Sequence, residues 1–529
     1  MVLAFGQIKG RIPFSMLDVH PLKNLLSKNH SYLYLLAMIL MTASLLFCVP
    51  ISSLAADDTS VEEALEGFDD DTPGGTDASM EEVMDGFDDT SAEDGTEDIQ
   101  VAPRSETDAI SGYPTLSIGG AARFRAFYNY AKDAPSQGET DWRGVSSLRG
   151  DLLVEVESRF SESWQAKVSL WGYYDAIYDI HGQGEYTQEA TDAYLKDLEL
   201  RDTYIQGNLL PSLDIKVGRQ IVVWGKSDNL RVCDVLNPLY LREVGMTDIR
   251  DLRLPVTLAR LDYYWSDWNI SGMAIPEIRF NDVPVYGGDF YFQDGPMLEE
   301  EIPENSIENM EYALAINGIF SGWDIAFYYA DIYDDAPYLY LESIDLISPG
   351  PPPVYQPNLV LKHARLDMFG AAYNLALGNW LIKAEAAHFR GLIFFNTPDE
   401  TYSRTDLLAG IEYAGFREIT ISLEALNRHL HDYDDALEES PSAVEQNEPQ
   451  YAARLTKDWL HETLTLTLLA SAYGVDFLSG SFERVALEYD LTDAFTVNGG
   501  LVLYQSGDKP EFENIGDSDR IFLELKYSF

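Results

Sequence analysis

From Thr115 to Phe529 the chain repeats one pattern, an alternation of apolar and polar side chains with a period of two, and no stretch carries a sustained helical stripe. A strand sends successive side chains to opposite faces. In Leu116–Tyr130 one face is apolar or aromatic, while the other holds Ser117, Arg123, Arg125 and Asn129. Between Leu148 and Glu157, Leu148, Leu152, Val154 and Val156 share one face, and Arg149, Asp151, Glu155 and Glu157 share the other. A soluble sandwich uses shorter strands and buries its apolar face. Long strands with one face charged throughout fit lipid outside and water inside.

Eighteen such strands are expected, beginning near residues 115, 147, 164, 198, 212, 256, 268, 310, 323, 362, 379, 406, 417, 450, 463, 481, 494 and 520; sixteen is the other count the pattern admits. The odd connections are mostly long (131–146, 177–196, 222–255, 275–309, 332–360, 388–405, 428–449, 507–519), and the even ones are short, as at Ser266-Asp267 and Gly378-Asn379. Long loops outside and tight turns inside, with an even strand number, predict an all-β, transmembrane, antiparallel up-and-down barrel over residues 113–529. Six of the nine tryptophans (Trp164, Trp265, Trp268, Trp323, Trp380, Trp459) lie at short turns, where an aromatic girdle belongs. The chain ends in an alternating strand whose Leu523, Leu525, Tyr527 and Phe529 resemble the signal read by the outer-membrane assembly machinery.

The N-terminal part differs in kind. Residues 31–49 are apolar and are followed by Ser53-Leu54-Ala55-Ala56, so residues 1–56 are expected to be an export signal cleaved after Ala55 or Ala56, with a membrane anchor as the alternative. Bulky Phe47 before Cys48 departs from the lipoprotein pattern. With Cys48 removed, Cys233 is left without a cysteine partner. Residues 57–112 are expected to be a disordered acidic periplasmic segment, since eighteen carboxylates and no Lys or Arg occur from Asp57 to Asp98. Within it Glu-Gly-Phe68-Asp-Asp recurs as Asp-Gly-Phe87-Asp-Asp. The repeated Phe68 and Phe87 are candidate docking residues for a periplasmic partner. Residues 1–56 carry +3 and the acidic stretch −18, so residues 100–529 hold −37 of the total −52. That balance argues against nucleic acid as a partner. Outer-membrane lipid and lipopolysaccharide are the expected surroundings.

Against this charge, Lys216–Arg260 holds eight Lys or Arg and five Asp or Glu. By strand count 222–255 is the third long connection. It carries its own apolar residues (Val232, Val235, Leu236, Leu239, Leu241), and it is expected to fold inward and narrow the pore. The basic residues Arg219, Lys226, Arg231, Arg250 and Arg253, with Arg123 and Arg125 on the wall, are the candidate constriction, either pinning the loop or attracting anions. Leu213, Ile215 and Val217 share the lipid face, so a bulge at Gly218 is expected to turn Arg219 inward.

Gly218-Arg219-Gln220, Trp224-Gly225, Asp234-Val235-Leu236-Asn237-Pro238 and Arg250–Pro255 resemble a family of proteobacterial outer-membrane proteins. That family is a domain of unknown function (number 1302), loosely similar to alginate-export barrels. The resemblance implies a barrel and transport or export across the outer membrane, sometimes beside hydrophobe exporters. It implies no established substrate and no catalytic residue.

No GxSxG, phosphate loop or HExxH motif occurs. His363 and His388 have no ligand spacing around them, and Ser403 beside His388 is the nearest approach to a hydrolase. Acidic loops such as Asp432–Asp435 read as solvated charge, with oxygen ligation of Ca²⁺ or Mg²⁺ as the other reading. No catalytic residue, metal site or cofactor is expected. The functional expectation is a porin-like transport or export channel in the outer membrane of a Gram-negative bacterium; the alternative is a plugged structural, receptor or adhesin barrel.

Overall fold

In the computed structural model, the described residues are 114–247, 252–293, 295–350, 353–439 and 442–529. The expected signal peptide, the acidic segment with Phe68 and Phe87, and Arg250 lie outside them.

The strands are β1 (Thr115–Asn129), β2 (Gly144–Arg159), β3 (Trp164–Asp175), β4 (Lys196–Leu210), β5 (Leu213–Gln220), β6 (Val256–Trp265) and β7 (Trp268–Ile275). There follow β8 (Glu300–Glu301), β9 (Glu311–Phe320), β10 (Trp323–Tyr333), β11 (Tyr338–Ser348), β12 (Val354–Lys362), β13 (Arg365–Leu377) and β14 (Trp380–Leu392). The last seven are β15 (Tyr402–Phe416), β16 (Ile419–Leu430), β17 (Asn447–Trp459), β18 (Leu464–Tyr473), β19 (Ser481–Thr492), β20 (Phe495–Gln505) and β21 (Arg520–Ser528). Eighteen of them pair in one antiparallel sheet, each with its neighbour in order once β8, β11 and β12 are set aside. β21 returns to β1, pairing Ala121 with Ser528 through Asn129 with Arg520, and so closes the barrel.

The alternation reads directly as faces. Leu116, Ile118 and Phe124 of β1 are exposed on the outside, whereas Arg123 of the same strand bonds Asp151 of β2. Exposed Leu407 and Ile411 alternate with buried Asp406 and Leu408 along β15. Apolar area facing outward is stable only against lipid, and closure leaves no unpaired edge within it. At the short turns the aromatic residues form a belt. Phe320 stacks on Trp323 at 4.3 Å, Trp323 meets Tyr373 at 6.0 Å, and Trp380 meets Tyr413 at 4.3 Å.

Two features depart from the sequence reading. The connection 332–360 is no plain loop: β11 and β12 form a hairpin, and β8 adds a two-residue parallel pairing to it. β12 therefore runs to Lys362, and the barrel strand starts only at Arg365. Between them His363 stacks on Phe280 at 3.3 Å and bonds Glu300 at 2.7 Å. Secondly, the ladders of β5 keep their register through Gly218. The irregularity lies across in β4, where Val168 pairs with Thr203 but Leu170 with Leu200, which leaves one extra residue in β4. Gly218 itself adopts φ 137°, a conformation open to glycine because it lacks a Cβ.

Candidate functional site

Residues 222–236, the leading half of the connection after β5, pack against strand residues of the same facing as buried Asp406 and Leu408. Val222, Trp224, Leu230, Val232, Cys233 and Leu236 form one buried cluster with Tyr328 of β10, Met368 of β13, Ala387 of β14, Leu408 of β15 and Leu426 of β16. Burial of a side chain of this size contributes on the order of 1.5–3 kcal/mol. Trp224 lies on the Tyr328 ring at 4.7 Å, with the planes 24° apart.

Polar anchoring comes chiefly from two carboxylates of the wall. Glu385 of β14 accepts the backbone N–H of Lys226 at 2.5 Å, Ser227 at 2.7 Å and Cys233 at 3.1 Å. Glu424 of β16 accepts those of Asp228, Asn229 and Leu230 at 2.9–3.0 Å. Six loop amides, those of residues 226–230 and of Cys233, thus close on two buried carboxylates, the arrangement of an anion-binding nest filled by the protein's own side chains. Lys383 of β14 reaches Asp228 and Glu412. Lys226 meets Asp324 at 2.8 Å.

The loop is also tied to itself. Asn237, wholly buried, accepts from Val222 N at 2.7 Å and donates to Leu254 O at 2.8 Å, joining the start of the connection to its end. Asp234 accepts from Arg231 at 3.1 Å and from Arg253 at 2.8 Å. The distinctive residues of the stretch, Trp224, Gly225, Asp234, Asn237 and Arg253, are accordingly the ones that shape the loop and seat it on the wall. Burial pushes the Cys233 thiol up, reinforced by the adjacent Glu385, so the thiol stays protonated.

The sequence-predicted basic residues do not converge on one point. Arg123 and Arg125 share Asp151, at 2.8 and 3.4 Å. Arg219 is held by Glu199 at 3.0 Å and by Glu277, so it does not stand in lipid as an unpaired charge. Arg231 and Arg253 meet on Asp234, and Lys226 lies elsewhere, at Asp324. His388 bonds Thr405 at 2.9 Å, which in turn bonds His431 at 2.7 Å; its partner is therefore Thr405 and not Ser403. Among the described residues no group of three or more His, Cys, Asp or Glu is placed to hold a metal ion.

Sequence reasoning missed Glu385, Glu424 and Lys383. Their only local signal is an ionisable residue at an inward position of an otherwise Ala- and Leu-rich strand. Nothing nearby in sequence points to a partner loop more than 150 residues away.

The family model described as "Protein of unknown function (DUF1302)" matches residues 110–529. The chain belongs to this family. No curated protein matches the DUF1302 chain. Among solved structures, the BenF-like porin of Pseudomonas fluorescens Pf-5 is 9% identical to it, covering 79% of this chain and 98% of that one with a TM-score of 0.46. Acinetobacter baumannii OccAB4 is 11% identical over 78% of this chain and 98% of its own, TM-score 0.46. Pseudomonas aeruginosa OccK9 is 11% identical over 78% and 98%, TM-score 0.45. For the DUF1302 chain the barrel reading rests on the closed sheet itself.

Proposed function

We propose that this protein is an outer-membrane channel that passes a polar solute through a lumen narrowed by the connection 221–255. The observation that carries this reading is the seating of that loop on Glu385 and Glu424. A loop fixed to the wall by six amide N–H hydrogen bonds narrows a pore without needing to fill it. Around the remaining wall run charges of both signs, among them Arg123, Arg125, Lys167, Asp151 and Glu155. Arg123 and Arg125 are the proposed selectivity pair, with Arg219 and Lys226 at the edges of the loop and Arg231 and Arg253 bracing it through Asp234. Residues 57–112 are proposed to lie in the periplasm, where Phe68 and Phe87 engage a partner. No catalytic step is part of this reading.

A plugged barrel is the second reading. It is favoured by the other half of the same loop, since Val244 and Met246 join Phe290, Val502 and Phe522 on a different sector of the wall. Planar-bilayer recording separates the two: discrete conductance steps support the channel, and a folded, inserted barrel that never conducts supports the plug. In a salt gradient, Arg123→Gln with Arg125→Gln should move the reversal potential toward cation selectivity. A potential equal to wild type removes these two residues from selectivity.

A further inference from the structure

Four connections, those after β1, β3, β5 and β7, meet at the long-loop end of β1–β3 and β21. Trp142 donates to Gly287 O at 3.3 Å, and Thr187 donates to Tyr286 O at 2.6 Å, which brings the connection after β7 against those after β1 and β3. Between them and the wall lie two ion pairs. Arg149 of β2 donates to Glu243 at 2.6 Å, and Arg520, at the start of β21, donates to Asp289 at 2.9 Å. Arg149, Glu243 and Arg520 are 3, 6 and 0% exposed. Asn129 adds a bond to Asp289 at 2.9 Å, and the Arg520 guanidinium lies 3.9 Å over the Phe290 ring.

Both pairs line one cavity of about 30 Å³, with Trp142 and Tyr194 among its walls. Each contributes one buried atom without a protein hydrogen-bond partner to each side of the balance: Arg149 Nε and Arg520 Nη2 as donors, Glu243 Oε2 and Asp289 Oδ1 as acceptors. A polar cavity of that size holds one or two waters.

We propose that these four charges form a hydrated two-armed latch, which binds one or two waters and fastens the trailing half of the 221–255 loop and the 276–310 connection to the wall as one unit. Glu243 is the arm from the first and Asp289 the arm from the second. Removing Asp289 takes the paired carboxylate from the buried Arg520 guanidinium, and removing Glu243 leaves the buried Arg149 with only a longer contact to Asp175, at 3.8 Å. The shared cavity makes the two arms release together. The latch is separate from the Glu385 and Glu424 anchorage, and it holds whether or not the barrel conducts.

The test is amide hydrogen exchange on the full-length folded barrel with Glu243→Gln, Asp289→Asn and both. Each single variant should speed exchange at least tenfold in residues 242–247 and in 286–292 alike, leaving 226–233 at the wild-type rate. The double variant should add little to either. If a variant does not assemble, Glu243→Asp, which keeps the charge but shortens its reach, is read in the same way. Exchange that rises only in the mutated segment, or in neither, overturns the proposal.

Discussion

Gly225 rests directly on Glu385: a Cβ at residue 225 would come within 2.7 Å of one carboxylate oxygen and 2.8 Å of the other. The same glycine has φ 86°, where an L side chain costs roughly 1–2 kcal/mol. The close approach lets the amides of Lys226, Ser227 and Cys233 turn toward Glu385 at once. Gly225→Ala is therefore expected to leave the barrel assembled but to loosen the leading half of the loop. Limited proteolysis should cut variant barrels between residues 222 and 236 where wild type resists; equal resistance would mean the loop tolerates the side chain.

Acid sensitivity of the trailing half follows from Glu243. Burial opposes its charge, but the Arg149 guanidinium prevails and holds the carboxyl below its ordinary range. A depressed carboxyl contributes stability above its unfolded pKa and loses it as pH falls through the folded one. Residues 240–247 should thus exchange at a pH-corrected constant rate from about pH 5 to 8, and open only below about pH 4, the ordinary glutamate range. Opening between pH 5 and 7 would place the charge elsewhere.

The pattern of strands was legible to an unusual depth because closure makes lipid and water sample alternate residues along the whole chain. The eighteen expected starts fall within four residues of the observed ones, the largest displacement being 406 against Tyr402. Where that rule stops, legibility stops. β11 reads Tyr-Leu-Tyr-Leu before Glu342 and ends beside a Pro-rich tip; its start is apolar on both faces and carries no period of two, so it gives no strand signal. At the candidate site, the loop's basic residues were visible but their partners were not. The docking is done mainly by backbone amides, which have no letter in the sequence, onto carboxylates of distant strands.

Seam closure gives a prediction for assembly. Phe529 and Gly120 exchange backbone hydrogen bonds of 3.0 Å in both directions, and a Cβ at residue 120 would meet the Leu153 carbonyl of β2 first and the Phe529 ring at 2.9 Å. Leu523, Tyr527 and Phe529 are exposed on the outer face, with Leu525 half-buried between them. Deleting Phe529 is expected to lower the amount of heat-modifiable barrel in the outer membrane several-fold, and Gly120→Val to do the same by crowding the Leu153 carbonyl of β2 together with the seam. Wild-type levels of either variant would contradict this role.

The repeated phenylalanines lie in the acidic stretch, which is too charged to bury a core. Phe68→Ala with Phe87→Ala should remove a periplasmic protein captured by the full-length chain while the barrel remains heat-modifiable. Capture unaffected by the double substitution would leave the segment as a solvated tail.

The narrowing of the lumen by the seated loop is the central claim, and single-channel current tests it most directly. Residues 226–233, which carry all six amide contacts to Glu385 and Glu424, are replaced by a short glycine–serine link. Barrels that remain heat-modifiable are then compared with wild type in the same bilayer and salt. Wild type is expected to give small, steady steps, and the replaced barrel steps at least twice as large. Equal conductance from the two, or an inserted wild-type barrel that passes no current at all, would contradict the account.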